Sequence, residues 1–140
     1  MPVADVARTA VMTAHGDQTA GNLATVMVEE NVGSVIIVND NEPIGIVTDR
    51  DLVVEVLEPR RDPTETTAED IMAEALTTVA MSDGIFEATR TMRDHAVRRL
   101  PVVDEDDNVA GIVTMDDFVV LLSDELANLS KVVEAESPPY

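Results

Sequence analysis

The chain contains no cysteine and no tryptophan, one lysine, and aromatic residues at only 2 % of its 140 positions. Without cysteine there is no disulfide framework, no thiolate nucleophile and no cysteine-based zinc site. Without aromatics the core has to be built from Val, Ile, Leu, Met and Ala. No apolar run approaches the length of a spanning helix, so no membrane segment is expected. The opening residues, M-P-V-A-D-V-A-R-T-A, lack the basic-then-apolar order of a secretory leader, and the expected compartment is the cytoplasm.

Positive charge is the other scarcity. Nine basic residues stand against 28 acidic ones, a net charge of −19. So acidic a surface repels phosphate backbones, which argues against nucleic acid as a partner. The acids are spread along the whole chain, which fits a solvated surface better than one docking face for a basic partner. Acid richness with almost no lysine is similar to proteins of salt-loving organisms, where molar salt screens the self-repulsion.

What is present is a repeat. G-I-V-T-D-R-D-L at 45–52 returns as G-I-V-T-M-D-D-F at 111–118. Upstream, an offset of 65 aligns Asp5 with Asp70, Ala10 with Ala75, Thr13 with Thr78, Met27 with Met92 and Val38 with Val103. One extra residue in the acidic turn D-E-D-D-N-V-A then moves the offset to 66. Repeats of this kind mark a duplicated structural unit.

Each copy predicts the same elements. A polar turn precedes a helix over about 20–31 and 84–96, with Leu23, Met27 and Phe86, Met92 expected on its buried face. Short β-branched strands follow at 34–38 and 100–103, then acidic turns, then strands at 44–47 and 110–113. Thr48 and Thr114 stand where strand becomes helix, as N-caps. The expected organisation is a first repeat at 1–58, a linker at 59–66 rich in charge and proline, a second repeat at 67–130 and a frayed tail at 131–140. Each half is too small to bury a core alone. The expected fold class is therefore α+β, two units each with a small three-stranded sheet and two helices, related by a pseudo-twofold axis.

The order helix, strand, strand, G-h-h-T-x-x-D, helix, given twice, resembles the cystathionine β-synthase (CBS) domain pair, or Bateman module. V-G-S-V-I-I-V before the first string, H-A-V-R-R-L-P-V-V-D before the second and D-I-M at the start of copy two carry the likeness. It covers residues 4 to 126 or so. It implies two clefts between the halves for adenosine-containing ligands such as AMP, ADP, ATP or S-adenosylmethionine, with no cofactor required. The carried-over ligand residues are Thr48 and Asp51 for one cleft and Thr114 and Asp117 for the other, the Asp on ribose and the Thr on ribose or phosphate. Segments near Thr13 and Thr78 would line the adenine pockets. Arg98 and Arg99, before Leu100 and Pro101, would contact phosphate, as would Arg50. Gly33 and Ser34 stand where copy two has Arg98 and Arg99, so the clefts are expected to differ, with the Asp51 cleft the better nucleotide site. Asp116 is expected to face solvent.

No P-loop, dinucleotide fingerprint, nucleophile elbow or zinc-protease signature occurs, and His15 and His95 fall at unrelated places. An enzyme and a metal site are not expected. Two functions stay open. One is a regulatory sensor of adenosine nucleotides that acts on a regulated protein in trans. The other is a structural module whose business is self-association, with the Val- and Leu-rich helices at 52–57 and 118–122 supplying a homodimer face.

Overall fold

The computed structural model describes residues 1–73 and 75–139; Glu74 and Tyr140, in the expected second repeat and tail, lie outside the described residues. After a 3-10 turn at Val3–Asp5, the first copy runs β1 (Thr13–His15), α1 (Ala20–Glu29), β2 (Ser34–Asn39), β3 (Glu42–Thr48) and α2 (Asp49–Leu52), which continues as a π-helical turn over Val53–Leu57. The second runs α3 (Ala68–Ile71), β4 (Val79–Ala80), α4 (Ile85–His95), β5 (Arg99–Val103), β6 (Val109–Thr114) and α5 (Met115–Glu136).

Each copy folds into a three-stranded sheet, β1-β2-β3 and β4-β5-β6. The first pair of strands is parallel, joined through a helix, and the second is an antiparallel hairpin. The central strands β2 and β5 are buried along almost their whole length, which is why they are runs of Val, Ile and Leu without alternation. The first hairpin turns on Asp40 and Asn41, both at positive φ (49° and 67°), a conformation that Asn and Asp tolerate. Register shifts occur at Ile37/Val38 and at Val102/Val103, so even the bulge is duplicated.

One departure between the copies has a simple cause. In copy one the Ile36 N–H bonds Met12 O at 3.0 Å beside the β1 pairing. Its counterpart is Pro101, which has no N–H. The parallel pairing of β4 accordingly begins at Val79 rather than Thr78.

The helix faces follow the offset. α1 buries Ala20, Leu23 and Met27, and α4 buries Ile85, Ala88 and Met92 at the same positions. Phe86, expected on the buried face, is instead 64 % exposed. It sits one residue past Ile85, about 100° round the helix from the inward stripe. The expectation of a frayed tail after 130 also fails, because α5 continues to Glu136. No Gly or Pro interrupts residues 115–136, and Pro138 and Pro139 stop the helix only beyond Ser137.

The cores cross the repeat boundary. Val3, fully buried, packs with Val79, Leu100, Val113 and Phe118 of copy two. Ala68 and Ile71 pack with Leu23, Val35, Ile37 and Val47 of copy one. Each copy's leading segment thus completes the other copy's core, which ties two small sheets into one body. The segment expected as a linker is also held: Ala20 N–H bonds Thr66 O at 2.8 Å, and Gly21 N–H bonds Pro63 O at 3.0 Å.

Candidate functional site

The exchanged leading segment builds one wall of a cleft. Arg8 pairs with β6 through its backbone, its N–H on Ile112 O at 2.9 Å and its C=O accepting from Ile112 N–H at 3.0 Å. The chain then passes back towards β1 through Ala10, Val11 and Met12. Opposite lie the α1–β2 turn with Gly33 and Ser34, Arg99 at the start of β5, and Thr114 at the end of β6. Together they enclose a cavity of about 250 Å³ at the junction of the halves. Its floor is apolar (Val11, Met12, Ile36, Ile112) and its rim carries polar groups. A contiguous cavity of about 350 Å³ shares Arg99, Thr114 and Asp116 and adds Arg50 and Arg98.

Four of the eight arginines therefore meet here on a chain of net charge −19. Arg98 and Asp116, both exposed, approach to 3.7 Å, a contact of little energetic weight. Among the described residues neither Arg50 nor Arg99 has a carboxylate within ion-pair distance. Gly33 matters for closeness: a Cβ there would lie 3.3 Å from Arg99 Nη2 and 3.5 Å from Asp49 Oδ2.

Thr114 caps α5. Its Oγ1 accepts the Asp117 N–H at 3.2 Å, and Asp117 Oδ2 accepts the Thr114 N–H at 2.9 Å. Thr48 and Asp51 make the same reciprocal box on α2, at 3.2 and 2.8 Å. A third such pair, Thr67 and Asp70, caps α3 outside the cavity, so Thr-x-x-Asp has a capping role of its own in this fold. The Thr67 backbone N–H, bonding at 2.9 Å, leads the contacts that hold the Asp70 carboxyl below its ordinary value.

Of the carried-over residues, Gly33, Ser34, Arg99 and Thr114 line the first cavity, and Arg50 and Arg98 line its extension. Thr48, Asp51, Thr78 and Asp117 do not line it; Asp117 lies in an adjoining depression, which shares Arg8 with the cavity. The cavity opens on the Thr114 string and not on the Asp51 string that was expected to mark the better nucleotide site. Met72 lies against Gly45, where copy one sets the smaller Ala7 against Gly111. Thr13 is exposed, and its neighbours Ala10 to Met12 form the wall in its place. Pro101 is buried inside β5 and does not reach the cleft.

Arg8 was not among the expected residues. It lines the cavity, and its Nε and Nη2 donate to Asp117 Oδ1 at 3.0 and 2.7 Å. The offset of 65 sets it against Ala73, and that contrast was the available signal. Among the described residues no group of three or more His, Asp or Glu is placed to hold a metal ion. Among the described residues, no helix is long and apolar enough to cross a membrane.

Comparison with known proteins agrees with this fold. The protein MK0525 of Methanopyrus kandleri is 44 % identical over 118 residues, 84 % of this chain and 60 % of the relative. The chain thus spans less than two thirds of that protein. The CBS domain-containing protein YhcV of Bacillus subtilis is 32 % identical over 118 residues, covering 84 % and 83 %. Among solved structures, the CBS domain pair of MJ0100, in complex with 5-methylthioadenosine and S-adenosyl-L-methionine, superposes with a TM-score of 0.80 at 24 % identity, covering 89 % and 98 %. The CBS domain protein PAE2072 of Pyrobaculum aerophilum, complexed with AMP, does so with a TM-score of 0.77 at 23 % identity, covering 91 % and 99 %. The family model of the CBS domain matches twice, at residues 3–58 and 68–124. The chain belongs to the CBS domain family and carries two copies of the domain.

Proposed function

We propose that the protein is a non-catalytic regulatory sensor that binds an adenosine-containing nucleotide in the cleft between its two CBS repeats. The observation that carries this is the cleft itself: an apolar slot closed by both halves, with Thr114 beside its cross-strand partner Arg99 and three further arginines gathered round them on an otherwise acidic chain. The apolar walls formed by Val11, Met12 and Ile112 suit an adenine ring. On this reading Thr114 takes the ribose together with Asp117, which Arg8 separates from the cavity, and Arg99, Arg98 and Arg50 take phosphates. Solved relatives of the same fold hold AMP, or 5-methylthioadenosine and S-adenosyl-L-methionine. The Thr48 and Asp51 string, with the segment at Thr78, is the weaker of the two sites on this reading.

Because the cleft walls come from both repeats, a ligand that prefers one arrangement of the halves shifts the population towards it. A protein bound in trans, or a second copy of this chain, would read that change. The alternative, a structural module without a ligand, draws on one observation: Thr67 and Asp70 cap a helix with the same motif and no cleft.

Thermal unfolding separates the two. With AMP, ADP, ATP and S-adenosylmethionine each at millimolar concentration in molar KCl, a ligand that binds only the folded state raises the midpoint. At a hundredfold excess over its Kd, the gain is about 2.7 kcal/mol. If no ligand moves the midpoint, the sensing role falls and the structural module stands.

A further inference from the structure

Both oxygens of Asp117 are engaged. Oδ2 accepts the Thr114 N–H at 2.9 Å, and Oδ1 accepts Nε and Nη2 of Arg8 at 3.0 and 2.7 Å. Asp51 differs: its Oδ2 accepts the Thr48 N–H at 2.8 Å, and Ala73 occupies the position equivalent to Arg8. A ribose diol that approaches Asp117 therefore meets a guanidinium already in place.

Among the described residues, that guanidinium is held by Asp117 alone and is otherwise open to solvent. The Arg8 backbone is fixed by both of its hydrogen bonds to Ile112, but the side chain is 67 % exposed and lines the same cavity as Arg99. Asp117, by contrast, is only 10 % exposed and is anchored by its cap. We propose that Arg8 is the residue by which this cleft selects its ligand by charge: it exchanges Asp117 for the anionic 5′ substituent of an incoming adenosine. This inference rests on the adenosine reading of the cleft given above.

The chemistry sets the preference. Neutral adenosine competes with Arg8 for Asp117 and offers the guanidinium nothing in return. A 5′-phosphate offers it a doubly charged acceptor that matches its planar fork, and so frees Asp117 for the ribose at the moment it is needed. A sulfonium brings positive charge towards Arg8 and Arg99 and is disfavoured on the same ground. The cleft is thereby tuned to phosphorylated adenosine.

The test is calorimetric titration of AMP and of adenosine into the full chain and into Arg8→Gln, at one fixed salt concentration. Glutamine leaves the backbone pairing with Ile112 in place, and a cooperative melt verifies the fold. The intact chain should bind AMP at least about tenfold tighter than adenosine. In Arg8→Gln, AMP should weaken about tenfold and adenosine should tighten about threefold, because a charge-assisted contact is lost from one ligand and a competitor is removed for the other. Arg8→Lys should fall between, and it replaces the glutamine variant should that one not fold. Equal changes for both ligands, or an unaltered ratio, would overturn the role of Arg8 and leave the nucleotide reading intact. Binding of neither ligand by the intact chain would overturn both.

Discussion

The carbonyl oxygen of Arg8 lies 2.6 Å from the place where a Cβ on Gly111 would stand. No real side chain tolerates that contact, and the obstacle is backbone held in a two-bond bridge to Ile112. Gly45, its repeat counterpart, meets first the Met72 thioether and its methylenes. One glycine admits a strand, the other a flexible side chain.

Gly111→Ala must therefore push the Arg8 segment off β6, whereas Gly45→Ala asks Met72 only to change rotamer. Gly111→Ala should cost about 2–3 kcal/mol in denaturant unfolding and Gly45→Ala no more than about 1 kcal/mol. Equal costs for the two would show that the Arg8 strand is not fixed against β6.

The elements of the fold were legible because they rest on short-range pattern. The paired offsets, the strand runs and the Thr-x-x-Asp caps all follow from residues within a turn or a strand of one another. The offset sets Phe86 against Gly21, off the inward stripe of Ala20, Leu23 and Met27 and of its counterparts Ile85, Ala88 and Met92. The crossing of the cores was not legible. Val3 carries no mark of which sheet it will cover, and apolar burial is not directional. Nor was the Arg8–Asp117 pair, whose members stand 109 residues apart. The cleft could be assigned to the halves only coarsely for the same reason.

Ala96 ends α4 in the left-handed conformation, φ 53° and ψ 43°. Its counterpart Asn31 has the same φ of 53° with a side chain that tolerates it. Ala96 is exposed, so nothing else constrains the position. Ala96→Asn should stabilise the protein by about 0.5–1 kcal/mol and raise Tm by about 2–4 °C. An unchanged or lower Tm would mean that the helix end relaxes without strain.

Acid should remove two local contributions. Asp62, bonded by the Thr64 side chain and backbone N–H, and Asp70, bonded by Thr67, both ionise below the ordinary carboxylate value of 3.8. Since the folded values are depressed, the stability they give is fully present above the unfolded value and is lost as pH falls through the folded one. In molar KCl, where general charge repulsion is screened, the guanidinium midpoint should drop below about pH 4. Asp70→Asn should shallow that drop, and an unaltered acid limb in this variant would remove Asp70 from the account.

α5 carries apolar residues where none is needed for its own fold. Val119, Leu122, Leu126, Leu129 and Val133 follow a 3-4-3-4 spacing, and all are between 48 and 67 % exposed. That spacing places them in one seam along the helix, the pattern of paired helices. Ser123 and Ser130 flank it with small side chains, while Asp124 and Lys131 fall on the far side. Val53, Val54 and Leu57 add exposed apolar surface after α2. The seam starts within the family match and runs on past residue 124, where that match ends. A second copy is its expected partner, because a 3-4 seam is complementary to itself. Burying each leucine contributes about 1.5–3 kcal/mol, enough for a dimer at micromolar concentration once salt has screened the acidic surfaces. Light scattering in molar KCl should give a dimer for the native chain and a monomer for Leu126→Glu with Leu129→Glu. Asp124→Ala, on the opposite side, should leave the dimer unchanged. A native chain that stays monomeric at tens of micromolar, or a double variant that still dimerises, would remove the seam as the contact.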